Sequence, residues 1–176
     1  MRRGTKLYNL ILPLWLLWMM PSLLWLFTLP ANFIVDLTVS AAALRLSGAR
    51  EIKKALKTSI VQTWLWGFAA DFAGAAMMLA PELARSFCDG GPFRVWLDCL
   101  ARDLTVNPAG SLSSMLWTLT SIALSAFVIY RKNYNVCFRR ADLTDKQRRY
   151  ASLALAVLTA PWFFFLSAGA LERLSL

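Results

Sequence analysis

Two aspartates in apolar surroundings, Asp36 and Asp71, are the residues of this chain whose type and setting point most directly to chemistry. Asp71 sits near the middle of Ser59–Ala80, a 22-residue run in which it is the only charge. Asp36 lies in Ala31–Leu46, a 16-residue run that is short for a membrane span at ~24 Å. Long apolar runs read as membrane-spanning helices, and a carboxylate inside one is costly enough to imply a purpose. On adjacent antiparallel helices the two acids differ in depth by ~6 Å at a rise of 1.5 Å per residue. Burial and mutual repulsion both disfavour two negative charges in one low-dielectric site, so such a pair suits a proton or a cation. No Lys or Arg lies mid-span to neutralise them, and Arg45 is nine residues from Asp36. The bland alternative has each acid bonding a serine, threonine or tryptophan on a neighbouring helix, at ~0.6 kcal/mol on average. A third reading has the acids meeting a basic residue of a partner subunit.

Other polar and small residues fall into helical stripes. Asn32, Asp36, Ser40, Ala43 and Ser47 recur at i, i+4, i+8, i+11 and i+15, so they share one face. Ser114, Thr118, Ser121 and Ser125 repeat the pattern in Leu112–Tyr130. Such a stripe lines a conduction path or packs helices together, and packing is the commoner use. Asn32, Ser40, Ser114, Thr118 and Ser121 therefore join the two acids as candidates for binding an ion, a proton or a partner. Gly67, Ala70, Asp71 and Gly74 lie on one side of their helix, and Ala70/Gly74 is a small-xxx-small pair that admits a close neighbour.

Catalysis finds little support. Two aspartates on neighbouring spans also serve intramembrane aspartyl proteases, but Ala69-Ala70-Asp71-Phe72 is not the glycine-flanked GxGD of presenilin-like enzymes. Asp36 lacks the tyrosine that precedes the other aspartate there. Asn32 and Asp36 only faintly echo the asparagine-containing motifs of lipoprotein signal peptidases. The chain has no histidine, so the commonest general base is missing. Three cysteines with no CxxC argue against zinc. Neither GxxxxGK[ST] nor GxGxxG is present, so no nucleotide and no other cofactor is expected.

Composition places the whole chain in the membrane class. It is 58% hydrophobic and only 16% charged, with a mean hydropathy of +0.51. The pattern predicts an all-α polytopic bundle in a single membrane domain, 1–176. Five spans are expected at 7–29, 31–46, 59–80, 112–130 and 150–170. Pro30 is read as a tight turn between the first two, and Pro161 breaks the last. The first run is too long for a signal-peptide core. Within the loop 81–111, Asp89-Gly90-Gly91-Pro92 opens an amphipathic external helix carrying Phe93, Trp96, Leu97, Leu100 and Leu104 on one face. Arg94, Asp98 and Arg102 run down another face at pairing distance. Gly48 is a helix stop, and a short surface helix is expected at Ala49–Leu56. Thr144 and Gln147 fit a capping box ahead of the last span.

Charge sets the orientation. Basic residues concentrate at the N-terminus and in the loops 47–58, with Arg45 beside it, and 131–149; the loop 81–111 is mixed. Cytoplasmic loops carry the Lys/Arg excess. The expected protein is therefore a multi-pass plasma-membrane protein with its N-terminus cytoplasmic and its C-terminus external. Cys88 and Cys99 then share an external loop and form a candidate disulfide. The net charge of +9 serves orientation and contact with anionic lipids at the cytoplasmic basic loops, with no nucleic acid. The leading expectation is an ion- or small-solute-handling protein, acting as a homo-oligomer. The alternative is a non-catalytic subunit or scaffold of a larger membrane complex.

Overall fold

The sequence folds into helices joined by short connections. The computed structural model describes residues 25–166; of these 84% are helical, and no strand occurs among them. Helix α1 spans Trp25–Leu46, α2 Ile52–Arg85, α3 Gly91–Val106, α4 Leu112–Lys132 and α5 Asp145–Leu158. A π-helical turn, Asn133–Cys137, and a 3-10 turn, Phe138–Arg140, continue α4; another 3-10 turn, Trp162–Phe165, follows α5. Two stretches are long and apolar enough to cross a membrane, Trp25–Leu46 and Leu112–Arg140. Helix α2 is longer than either at 34 residues, but Gln62 and Asp71 dilute its apolar section.

Apolar side chains are shared between the interior and the surface. Two clusters are buried, one of Met78, Leu100, Leu104, Ile122 and Phe164 and one of Leu44, Ile129, Phe138 and Leu155. Asp36, Ser40, Thr63, Asp71, Ser125 and Asn133 are buried among the helices too, while Ile34, Leu65, Leu116, Phe127 and Leu153 are exposed. An exposed apolar surface of this extent suits contact with lipid or with a partner.

The seam between α2 and α4 is the most extensive contact. Three hydrogen bonds run along it at intervals of about two turns. The Trp117 indole donates to the Met77 carbonyl at 2.8 Å, the Ser125 hydroxyl to the Ala70 carbonyl at 2.9 Å, and the Thr63 hydroxyl to Asn133 Oδ1 at 2.8 Å. The first of these has a local cause. Pro81 lies inside α2 and has no N–H to offer the carbonyl four residues back, which is that of Met77. The Trp117 indole supplies the missing donor. The same repair occurs at Pro161, where the Trp162 indole donates to the Val157 carbonyl at 2.9 Å.

Several boundaries differ from those read off the sequence. Pro30 is not a turn: α1 runs straight through it, so 25–29 belongs to the same helix as 31–46. An interior proline is tolerable where other donors reach the backbone, and the Trp64 indole donates to the adjacent Leu29 carbonyl at 3.2 Å. The 16-residue short span thereby becomes 22 residues, and the rest of the expected first span, 7–24, lies outside the described residues. The surface helix expected at Ala49–Leu56 is instead the opening of α2, which starts at Ile52 and passes through Pro81 to Arg85. The expected last span does not run unbroken from 150 to 170. Helix α5 begins earlier, at Asp145, and stops at Leu158 before Pro161; 167–170 falls outside the described residues.

Other local signals act as expected. Gly48, at φ +75°, takes the left-handed turn that closes α1, with the Ala49 N–H bonding back to Leu44. Pro92 lies in the first turn of α3, whose buried side is Leu97, Leu100, Ala101 and Leu104. Arg94 bonds Asp98 at 3.2 Å, and Arg85 pairs with Glu82. Thr144 and Gln147 close their capping box at the start of α5. Gln147 Nε2 reaches the Ser47 carbonyl at 3.5 Å, which brings both basic connectors to one end of the bundle.

At that end Tyr134 and Asp145 join the π turn to α5. The Tyr134 hydroxyl donates to Asp145 Oδ1 at 2.6 Å, and Arg149 and Arg148 pair with the same carboxylate at 2.7 and 3.1 Å. The hydroxyl first, and the two guanidinium groups after it, hold the Asp145 carboxyl below the usual carboxylate range. Its contribution to stability is therefore complete above about pH 4 and is lost as pH falls through the lowered native value. Tyr134→Phe should raise the Asp145 titration toward the ordinary range, read by carbon-13 NMR of labelled aspartate carboxyls. Along the seam, Thr63→Val leaves Asn133 Oδ1 buried without its donor. It should cost about 1–3 kcal/mol in detergent unfolding, whereas Thr58→Val, exposed and bonded only within its own helix, should stay within about 0.5 kcal/mol.

Candidate functional site

One small cavity collects both aspartates. Asn32, Val35 and Asp36 come from α1, with the two polar residues one turn apart. Trp64, Gly67, Phe68 and Asp71 come from α2 at i, i+3, i+4 and i+7, one helical face. Leu158, Thr159, Ala160 and Phe163 come from the end of α5 and the turn beyond it. The enclosed volume is about 160 Å³, room for a few waters or a small cation.

Each wall has a sequence cause. Gly67 faces Asp36 at close range, where a Cβ would stand 3.4 Å from Asp36 Oδ2 in ordinary contact. Pro161 ends α5 at the height of the acids, and the Thr159 side chain comes to rest beside the Asp36 carboxyl while its hydroxyl donates to Leu155 at 2.9 Å. Trp64 is held by its bond to Leu29 and by edge-on contacts with Phe33 and Phe68, at 6.0 and 5.6 Å between ring centres.

Asp36 and Asp71 are 7% and 8% exposed, so both residues are buried. They lie near enough for their charges to interact. Asp71 Oδ1 has no hydrogen-bond partner. None of the residues lining the cavity is basic. The final carbonyls of α5 lie at the same place and add the negative end of a helix dipole. Carboxylates, a helix C-terminus and no basic residue make a negative pocket, suited to a proton, a cation or a cationic group. Among the described residues no three His, Cys, Asp or Glu side chains are grouped to hold a metal ion.

The remaining candidates lie elsewhere. Ser40 is buried one turn beyond Asp36; its hydroxyl has no partner, and it is not part of the cavity wall. Ser114, Thr118 and Ser121 are fully buried, but their hydroxyls bond within α4 and its cap, to Ser111, Ser114 and Trp117. They pack the seam and do not line the cavity. Ala70 and Gly74 pack there too, as their spacing suggests. Cys88 and Cys99 are free thiols, as is the buried Cys137. Sequence reasoning missed Trp64, Phe68, Thr159 and Phe163. The i, i+3, i+4, i+7 spacing around Asp71 was the available sign for the first two.

The two glycines of α2 separate the cavity from the seam. A Cβ at Gly74 would overlap Ser125 Oγ and stand 2.9 Å from the Phe164 ring and 3.1 Å from the Ser121 carbonyl. Gly74→Ala should lower the thermal midpoint in detergent, at about 1–3 kcal/mol for overpacking. Gly67→Ala meets ordinary contact only, and its better helix propensity offsets that. Its midpoint should be unchanged or slightly higher.

Compared with known proteins, the chain matches no family model, no curated protein and no solved structure.

Proposed function

We propose that this is a multi-pass membrane protein in which Asp36 and Asp71 form a binding centre for a proton or a small cation that the protein moves across or senses within the bilayer. The observation that carries the reading is the Asp71 carboxyl. It is buried, with one oxygen unpartnered, on the same cavity as Asp36 and with no basic residue in the wall. A carboxyl kept only to glue helices would bond a neighbour. Its free oxygen is where an arriving ligand can bind.

Membrane placement draws on the many large apolar side chains left exposed, the polar ones buried between helices and the two long apolar helices. In this reading α1, α2 and α4 cross the bilayer, and α5 with the turn after it closes the bundle. The basic end, with Arg45–Lys57 and Arg131–Arg149, faces the cytoplasm by the positive-inside rule. Helix α3 then lies at the external surface. Of the five spans expected, the first lies mostly at 7–24, outside the described residues. The aspartates bind and do not catalyse, and copies associate through the exposed apolar faces.

The test is cation or proton flux into liposomes carrying the purified protein, compared with Asp71→Asn at equal density and equal thermal midpoint. Flux in the parent that falls at least tenfold in the variant is the expected result. Equal flux in both, or none in the parent across pH and membrane potential, would sink the proposal and leave Asp71 as a contact for a partner subunit.

A further inference from the structure

A second feature lies at the opposite end of α2 from the external loop and is not used by the aspartate centre. Gln62 of α2 faces a cleft of about 430 Å³ whose other walls are Asn135, Val136, Arg139 and Arg140. The cleft sits where α4 gives way to the π-helical and 3-10 turns. A π turn is rare, costs hydrogen-bond geometry and is found disproportionately at functional places. Here it carries Asn135 and Val136 on the wall, and the turn after it carries both arginines.

Four basic residues at this end have a partner, whereas Arg139 and Arg140, like Arg45, Arg50, Lys53, Lys57, Arg131 and Lys146, have no acid against them; what sets the two arginines apart is that both line this cleft. Arg148 and Arg149 pair with Asp145, Lys54 pairs with Glu51, and Lys132 lies over the Trp66 ring at 3.8 Å. Neither Arg139 nor Arg140 forms an ion pair with any described acid, and both are exposed. Two guanidinium forks beside the amides of Gln62 and Asn135 are a donor set matched to phosphate oxygens. The surface next to the cleft is apolar: Val61 is 57% and Leu65 54% exposed. An occupant that places an anionic phosphate on the arginines and hydrocarbon along α2 satisfies both.

We infer that this cleft binds the phosphodiester headgroup of an anionic phospholipid from the cytoplasmic leaflet, with an acyl chain running along Val61 and Leu65. The inference uses the membrane placement proposed above but is independent of what the aspartates carry. Positive-inside orientation puts the cleft in the leaflet whose anionic lipids it would recognise.

The probe is phosphatidylglycerol added to the full-length protein in neutral detergent, with binding followed by native mass spectrometry. Phosphatidylcholine and soluble glycerol phosphate are run beside it. Phosphatidylglycerol should be retained at least tenfold better than either, and Arg139→Gln/Arg140→Gln should remove that preference. Lys53→Gln/Lys57→Gln, which removes the same charge from the same end, should keep it. An equal loss in the lysine variant would mean diffuse attraction and overturn the site. Glycerol phosphate competing as well as the lipid would make it a site for free phosphate esters and overturn the lipid assignment. If the double arginine variant does not purify, Arg140→Gln alone should lower retention about threefold, and no change would overturn the proposal. Loss of flux in Asp71→Asn leaves this result untouched, so the two readings fail separately.

Discussion

Hydrogen bonding between α2 and α4 is the constraint on which the other contacts depend. The two buried apolar clusters hold the ends of the bundle, but between α2 and α4 the interior is small and polar, so apolar burial alone does not join them. Backbones must come close, and polar atoms between them must be paired. Ala70 and Gly74 provide the approach, and Trp117, Ser125 and Thr63 provide the pairs. Ser121 and Phe164 press on the same glycine. Once α2 is fixed against α4, its other side is presented to α1 and α5, where Asp71 meets Asp36. The cavity is thus a by-product of a seam built one face away.

The negative character of that cavity comes from where helices stop as much as from the acids. Helix α5 ends at Leu158 because Pro161 follows, and its last carbonyls point to the level of the two carboxyls. The aromatic walls, Trp64, Phe68 and Phe163, limit the hydration of whatever enters. Access is then a matter of how far water or a cation can follow the polar groups Asn32 and Thr159 on the wall.

Much of this was readable from residue order. Helical content, the polar stripes, the amphipathic helix α3, the capping box at Thr144 and the meeting of the basic connectors at one end all follow from period and charge. Asp36 and Asp71 were chosen for their setting, and they do share a site. What failed was the reading of prolines. Pro30 looked like a turn because a lone proline disfavours helix, and the donor on Trp64 that supports the backbone there is 34 positions away. The stripe Ser114–Ser121 packs helices, the commoner use of such a pattern, although a sequence does not show that its hydroxyls turn back to their own helix. Thr159 and Phe163 gave no local sign, since only the packing of α5 against α1 brings them to the acids.

Two tryptophans complete hydrogen bonds that prolines leave open, Trp117 for Pro81 and Trp162 for Pro161. Away from water, a carbonyl freed by proline has few other donors to turn to. Each proline and its indole therefore form an inherited unit: among descendants of this sequence, the ring and the imino acid are expected to be kept together or exchanged together, and the seam offers a place to look for that linked drift.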